Sequence, residues 1–136
     1  MNCRHLVLLM VAGLWGCGGS DGPEVGRVRG KVTFDGKPVA NAQIQFVPKG
    51  TGRTSTAQAD AEGNYDLLYD SERMGALVGK HTVRVITAVP PEYDDKGKVI
   101  KGTGEPERIP DIYNTFSQIE KTVNSGNNEI HLDLAK

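Results

Sequence analysis

From residue 26 onward, apolar and polar residues alternate with a period of two. Val28, Gly30, Val32 and Phe34 are interleaved with Arg27, Arg29, Lys31 and Thr33, the pattern of a strand with one buried face. Asp35-Gly36 is a tight-turn dipeptide. After Lys37 to Asn41, a second set (Ala42, Ile44 and Phe46) alternates with Gln43 and Gln45 until Pro48 stops it. Residues 54–59 read as a strand of small residues, and Asp60-Ala61-Glu62-Gly63-Asn64 turns the chain into Tyr65, Leu67 and Tyr69. His81, Val83, Val85 and Thr87 form the next inward set, with Thr82, Arg84 and Ile86 outward. A strand over 119–123 is joined by Asn124-Ser125-Gly126-Asn127 to a last one that turns Ile130, Leu132 and Leu134 inward and His131 outward. About seven short strands separated by turns close most naturally as a sandwich. Its expected core is Val28, Val32, Phe34, Ile44, Phe46, Tyr65, Leu67, Val83, Val85, Ile130 and Leu132.

Two intervals break the alternation. Asp70 to Gly79 reads as a loop or a single helical turn. Pro90 to Pro110 is rich in Lys, Asp, Glu, Gly and Pro, with Tyr93, Val99, Ile100 and Ile109 its apolar residues. Connections of that length are either functional or disordered. Within it, Asp94-Asp95-Lys96-Gly97-Lys98-Val99 has the composition of a small hairpin ear.

The beginning of the chain follows another logic. Arg4 precedes an apolar run from Leu6 to Trp15, too short to span a bilayer and laid out like an export signal. Leu14-Trp15-Gly16-Cys17 resembles the bacterial lipobox, with Trp15 where that motif usually has a small or β-branched residue. The resemblance implies a signal peptide over 1–16, a diacylglycerol thioether on Cys17 and a lipid-anchored envelope protein; the competing reading is an ordinary secretory signal. Gly18 in place of Asp after the cysteine favours the outer over the inner membrane. Residues 17–25 then read as a flexible tether, and 26–136 as the folded domain. A formal charge of −1 and a pI near 6.3 argue against a nucleic-acid partner.

Three stretches together resemble carboxypeptidase regulatory-like domains. They are Gly30 to Val39 running on to Phe46, the acidic turn and aromatic strand from Asp60 to Leu67, and Gly79-Lys80-His81-Thr82-Val83-Arg84-Val85. Ile109-Pro110-Asp111-Ile112-Tyr113-Asn114 and the segment 123–134 are similar to the ends of short bacterial lipoproteins built from one such domain. The resemblance implies an all-β, seven-stranded transthyretin-like (prealbumin-like) Greek-key β-sandwich without catalytic residues of its own. Transthyretin-like hydrolases of the urate pathway carry a C-terminal Tyr-Arg-Gly-Ser signature; this chain ends in Leu132-Asp133-Leu134-Ala135-Lys136.

Candidate chemistry is sparse. Both cysteines, Cys3 and Cys17, fall at the start of the chain, and His81 and His131 lack the spacing of a zinc pair, so no metal or cofactor is expected. Asp60 to Asn64 has alternating oxygen ligands but no downstream bidentate Glu, and reads as a turn. No nucleophilic elbow or spaced carboxylate pair is present, so no catalytic residue is assigned. The expected role is that of a non-enzymatic envelope lipoprotein that binds or scaffolds an envelope protein or polysaccharide. The expected contact is the long loop, through Tyr93, Asp94, Asp95, Lys96 and Lys98. A carbohydrate-binding surface module, or a hydrolase with its site in the 90–110 loop, are the alternatives.

Overall fold

The computed structural model describes residues 22–136, so the signal segment, Cys17 and most of the tether lie outside the described residues. The described chain is all-β: ten strand segments in two sheets, with one 3₁₀ turn at Asp111–Tyr113. In chain order the strands are β1 (Val25–Phe34), β2 (Lys37–Pro38), β3 (Gln43–Pro48), β4 (Ser55–Gln58), β5 (Asn64–Asp66), β6 (Ala76–Leu77), β7 (Gly79–Ile86), β8 (Ile119–Val123), β9 (Asn127–Glu129) and β10 (Leu132–Leu134).

One sheet is organised around β1. Along one edge β6, β5 and β2 pair with it in turn, all antiparallel. Along the other edge β9 and β10 run parallel to it. The second sheet is antiparallel, in the order β4-β3-β7-β8. The bridge Thr56–Leu68 couples the two sheets beside β4. The core lies between them, formed by Val28 and Val32 from β1, Ile44 and Phe46 from β3, Val83 and Val85 from β7, and Tyr65, Leu67 and Leu132. Nine of the eleven expected core residues are therefore buried, while Phe34 and Ile130 pack against the cluster only partly covered. Val39, Ala42, Ala59, Ala76, Ile109, Val123 and Leu134 complete it.

The alternation also sorts the polar residues: Arg29 and His131 lie outside, while His81, on an inward position, is fully buried. The His81 Nε2–H donates to the Leu77 carbonyl at 2.7 Å, and the ring packs 5.7 Å from Phe46.

The last strands differ in detail from their expected form. The segments at 119–123 and 127–134 are joined by the expected turn but belong to different sheets. β8 closes one sheet on β7, and the turn at 124–127 carries the chain to the other sheet. β9 and β10 keep one register against β1 (Val28 opposite Asn128, Val32 opposite Leu132), so they behave as a single strand interrupted at Ile130-His131. At the interruption the Lys31 amide donates to the His131 ring, at Nδ1, instead of to a main-chain carbonyl. The Ile130 carbonyl lies over Gly30 and accepts from the Tyr65 hydroxyl at 2.5 Å. Gly30 is therefore not an inward side-chain position; it makes room for that carbonyl. The interval 70–79 is a loop, as its sequence reads, that ends in the two-residue β6. Asp70 folds it into a turn by accepting from the Glu72 and Arg73 amides, and β6 then pairs with the start of β1.

Candidate functional site

The long connection after β7 is an ordered hairpin ear. Asp94 and Lys98 close its tip, with the Asp94 amide donating to the Lys98 carbonyl and the Gly97 amide to the Asp94 carbonyl. The Asp94 Oδ1 accepts from the amides of Lys96 and Lys98, both at 2.9 Å. The turn at Asp60 is built the same way: its Oδ1 accepts from the amides of Glu62 and Asn64, and Gly63, like Gly97, has positive φ. Asp-x-x-Gly-x is thus one local solution used twice, because a short carboxylate reaches its own turn amides and glycine supplies the left-handed residue. These bonds hold the Asp60 carboxyl below its ordinary value; the amide of Asn64 lowers it most, against a smaller upward push from burial. Residues 60–64 thus form the turn that their sequence reads as. Below the tip, Tyr93 pairs with Val99, and nearer the root Val89 pairs with Glu105.

The root is held by Glu107. Its carboxylate accepts from the main-chain amides of Thr87, Ala88, Arg108 and Ile109 and from the Thr87 hydroxyl. The two ends of the connection thereby close on one carboxylate. Burial pushes this carboxyl upward, but the hydrogen bonds from Thr87, Ile109 and Ala88 outweigh it and hold it below its ordinary value. Arg108 adds a second tie, its guanidinium donating to the Ala40 carbonyl at 2.9 Å.

Of the residues expected to make contact, Tyr93 is 61% exposed, and Asp95, Lys96 and Lys98 are exposed around the tip. The Asp94 carboxylate is committed to its turn, which makes it a structural residue of the ear. Val89, Val99 and Ile100 add exposed apolar surface. Residues 22–24 lie at the far end of the sandwich from this root. The Glu24 carbonyl accepts from Val78, next to the start of β7, whereas the ear grows from the end of β7. Eight residues of strand separate the two, about 26 Å at ~3.3 Å per residue. The lipid site expected at Cys17 lies outside the described residues.

A polar groove on the outer face of the β1 sheet was not singled out by the sequence. It is lined by Arg27 and Arg29 of β1, Asn64 and Asp66 of β5, Asp60 before it, and Asn127 to Glu129 and His131 on the parallel strand. The Asp66 Oδ2 accepts from Arg27 at 2.8 Å and Arg29 at 3.1 Å. Burial works against ionisation of Asp66, and the two guanidiniums overcome it and lower its pKa. Strand alternation marked Arg27 and Arg29 as outward; their shared carboxylate depends on the register of β5. Among the described residues no group of three His, Cys, Asp or Glu side chains is placed to hold a metal ion.

No family model matches the chain, and no curated protein matches it. Among solved structures, a 9R-lipoxygenase from Cyanothece PCC8801 is similar over 83% of this chain and 16% of its own, with a TM-score of 0.48 and 12% identity. The likeness thus involves a small part of that enzyme and assigns no activity to this chain.

Proposed function

We propose that this chain is a non-enzymatic, lipid-anchored module of the bacterial envelope that uses the 88–107 ear to bind or scaffold another envelope component. The observation that carries the reading is the position of the ear: rooted on a carboxylate collar, at the opposite end of the sandwich from residues 22–24. A tether anchored at Cys17 would place the ear on the side facing away from the membrane. An ordered projection with an exposed tyrosine and exposed aliphatic residues suits recognition on a rigid scaffold better than catalysis. The same reading takes the fold as a seven-stranded transthyretin-like Greek-key sandwich of the carboxypeptidase regulatory-like kind. Counting β9 and β10 as one strand and setting aside the two-residue β2 and β6 leaves seven, which supports it.

The test is crosslinking in intact cells followed by mass spectrometry. Replacing residues 92–103 by a Gly-Gly link keeps the Val89–Glu105 pair and Glu107. The expected result is loss of specific crosslinks from a protein of unchanged fold and membrane fractionation. Crosslinks that persist would move the contact elsewhere on the domain. Turnover of an acyl, glycosyl or peptide substrate that vanishes with the ear would replace the binding role by a hydrolytic one.

A further inference from the structure

The outer groove of the β1 sheet has the attributes of a second recognition surface. Its floor is β1, whose main-chain groups are used on both edges: Arg29 lies opposite Asp66 on one side and Glu129 on the other. An incoming peptide strand therefore finds no ladder to extend here, and recognition must run through side chains. Those side chains are already held in place. Asp66 fixes Arg27 and Arg29, and the Asn128 amide group donates to the Arg27 carbonyl. The His131 ring accepts the Lys31 amide proton at Nδ1, which leaves Nε2–H to donate to Glu129 at 2.9 Å. Polar groups fixed before binding lose little freedom when a ligand arrives.

The chemistry of the lining selects among ligands. Two arginines face three carboxylates, Asp60, Asp66 and Glu129, so the groove offers no positive excess to a polyanion. Arg29 uses only Nε on Asp66, which leaves its terminal nitrogens as donors; Glu129, one strand away, is 78% exposed and accepts. Adjacent strands lie ~4.8 Å apart, so donor and acceptor are neighbours across the groove. A hydroxyl both accepts and donates and can bond to each of them, whereas a phosphate only accepts and an ammonium only donates. We propose that this groove binds a neutral, polyhydroxylated chain, a glycan, through the Arg29 guanidinium and the Glu129 carboxylate, with Asn64 and Asn127 beside them. The proposal rests on the reading of the chain as an envelope binding module, but on a face of the domain that the ear does not supply.

The experiment is a titration of the isotopically labelled full chain in detergent micelles, followed by amide NMR shifts. The probes are maltohexaose, cellohexaose, chitohexaose and mannohexaose, with a heparin oligosaccharide and polyphosphate as anionic comparators. At least one neutral hexaose is expected to shift amides within 27–31, 60–66 and 127–131. Arg29→Ala and Glu129→Gln should each raise its Kd at least tenfold while leaving the rest of the spectrum in place. Absence of shifts with all four hexaoses overturns the proposal, as does binding that both substitutions leave unchanged. Tighter binding of either anion than of any hexaose overturns the neutral class. The ear-replaced variant separates the two readings. Groove shifts that survive alongside ear-independent crosslinks would sink the ear reading alone, and shifts that vanish with the ear would sink the groove.

Discussion

Replacing Glu107 by Ala tests how the ear is held. The substitution removes an acceptor shared by four amides and a hydroxyl. Ala88 is exposed and its amide can turn to water at little cost, while the Arg108 amide keeps its bond to the Thr87 hydroxyl oxygen at 2.8 Å. Thr87 is 2% exposed and Ile109 5%, so their amides and the Thr87 hydroxyl proton are the donors left without an acceptor. A buried donor left unpaired costs ~1–3 kcal/mol. Because the carboxylate itself is substantially exposed, the lower part of that range applies to each, and the total is about 2–4 kcal/mol. Glu107→Gln retains one oxygen but presents an NH2 group toward donors, and should cost about half as much. Urea denaturation measures the global change, and hydrogen exchange at residues 87–90 and 105–109 measures the local one. The carboxyl is held below its ordinary value of 4.5, so its contribution is complete above that pH and fades as pH falls through the lower folded value. The acid limb of the stability curve should therefore be shallower in Glu107→Ala than in the wild type. A loss under ~0.5 kcal/mol with unchanged exchange at Thr87 and Ile109 would refute the collar as the ear's anchor.

Other outcomes follow from single contacts. A Cβ on Gly30 would stand 1.7 Å from the Ile130 carbonyl oxygen, so Gly30→Ala must displace the parallel strand and orphan the Tyr65 hydroxyl. A loss of about 3 kcal/mol by denaturation is expected, and a change below ~1 kcal/mol would show that the strand gives way easily. Tyr65→Phe removes the donor alone, leaves the ring packed against Phe46, and should cost ~1–2 kcal/mol with the fold intact by circular dichroism. Metabolic labelling with a fatty-acid analogue should mark the wild type and not Cys17→Ser; release of both as soluble proteins of equal mass would show an ordinary secretory signal instead.

What could be read directly from the chain was whatever depends on neighbours a few residues apart. Alternation placed Val28, Val32, Ile44, Phe46, Val83 and Val85 inside and Arg29 outside, because successive side chains of a strand point to opposite faces whatever the strand pairs with. The hairpin tip at Asp94 was legible for the same reason, since a carboxylate, a glycine and their own amides make the turn among themselves. Residues far apart had to be brought together by the fold. Strand partners answer to the sum of packing over the whole domain, so β8 and β9, adjacent in sequence, went to different sheets, and Gly30 came to lie beneath a carbonyl a hundred residues later. Glu107 looked like one more charge in a charged loop until β7 delivered Thr87 to it. Asp66 and Glu129 flank Arg29 only because β1 is the central strand. The groove is made of such long-range pairs, and the ear is rooted by one: a period-two pattern states which way a side chain points, and only the tertiary structure decides what it meets there.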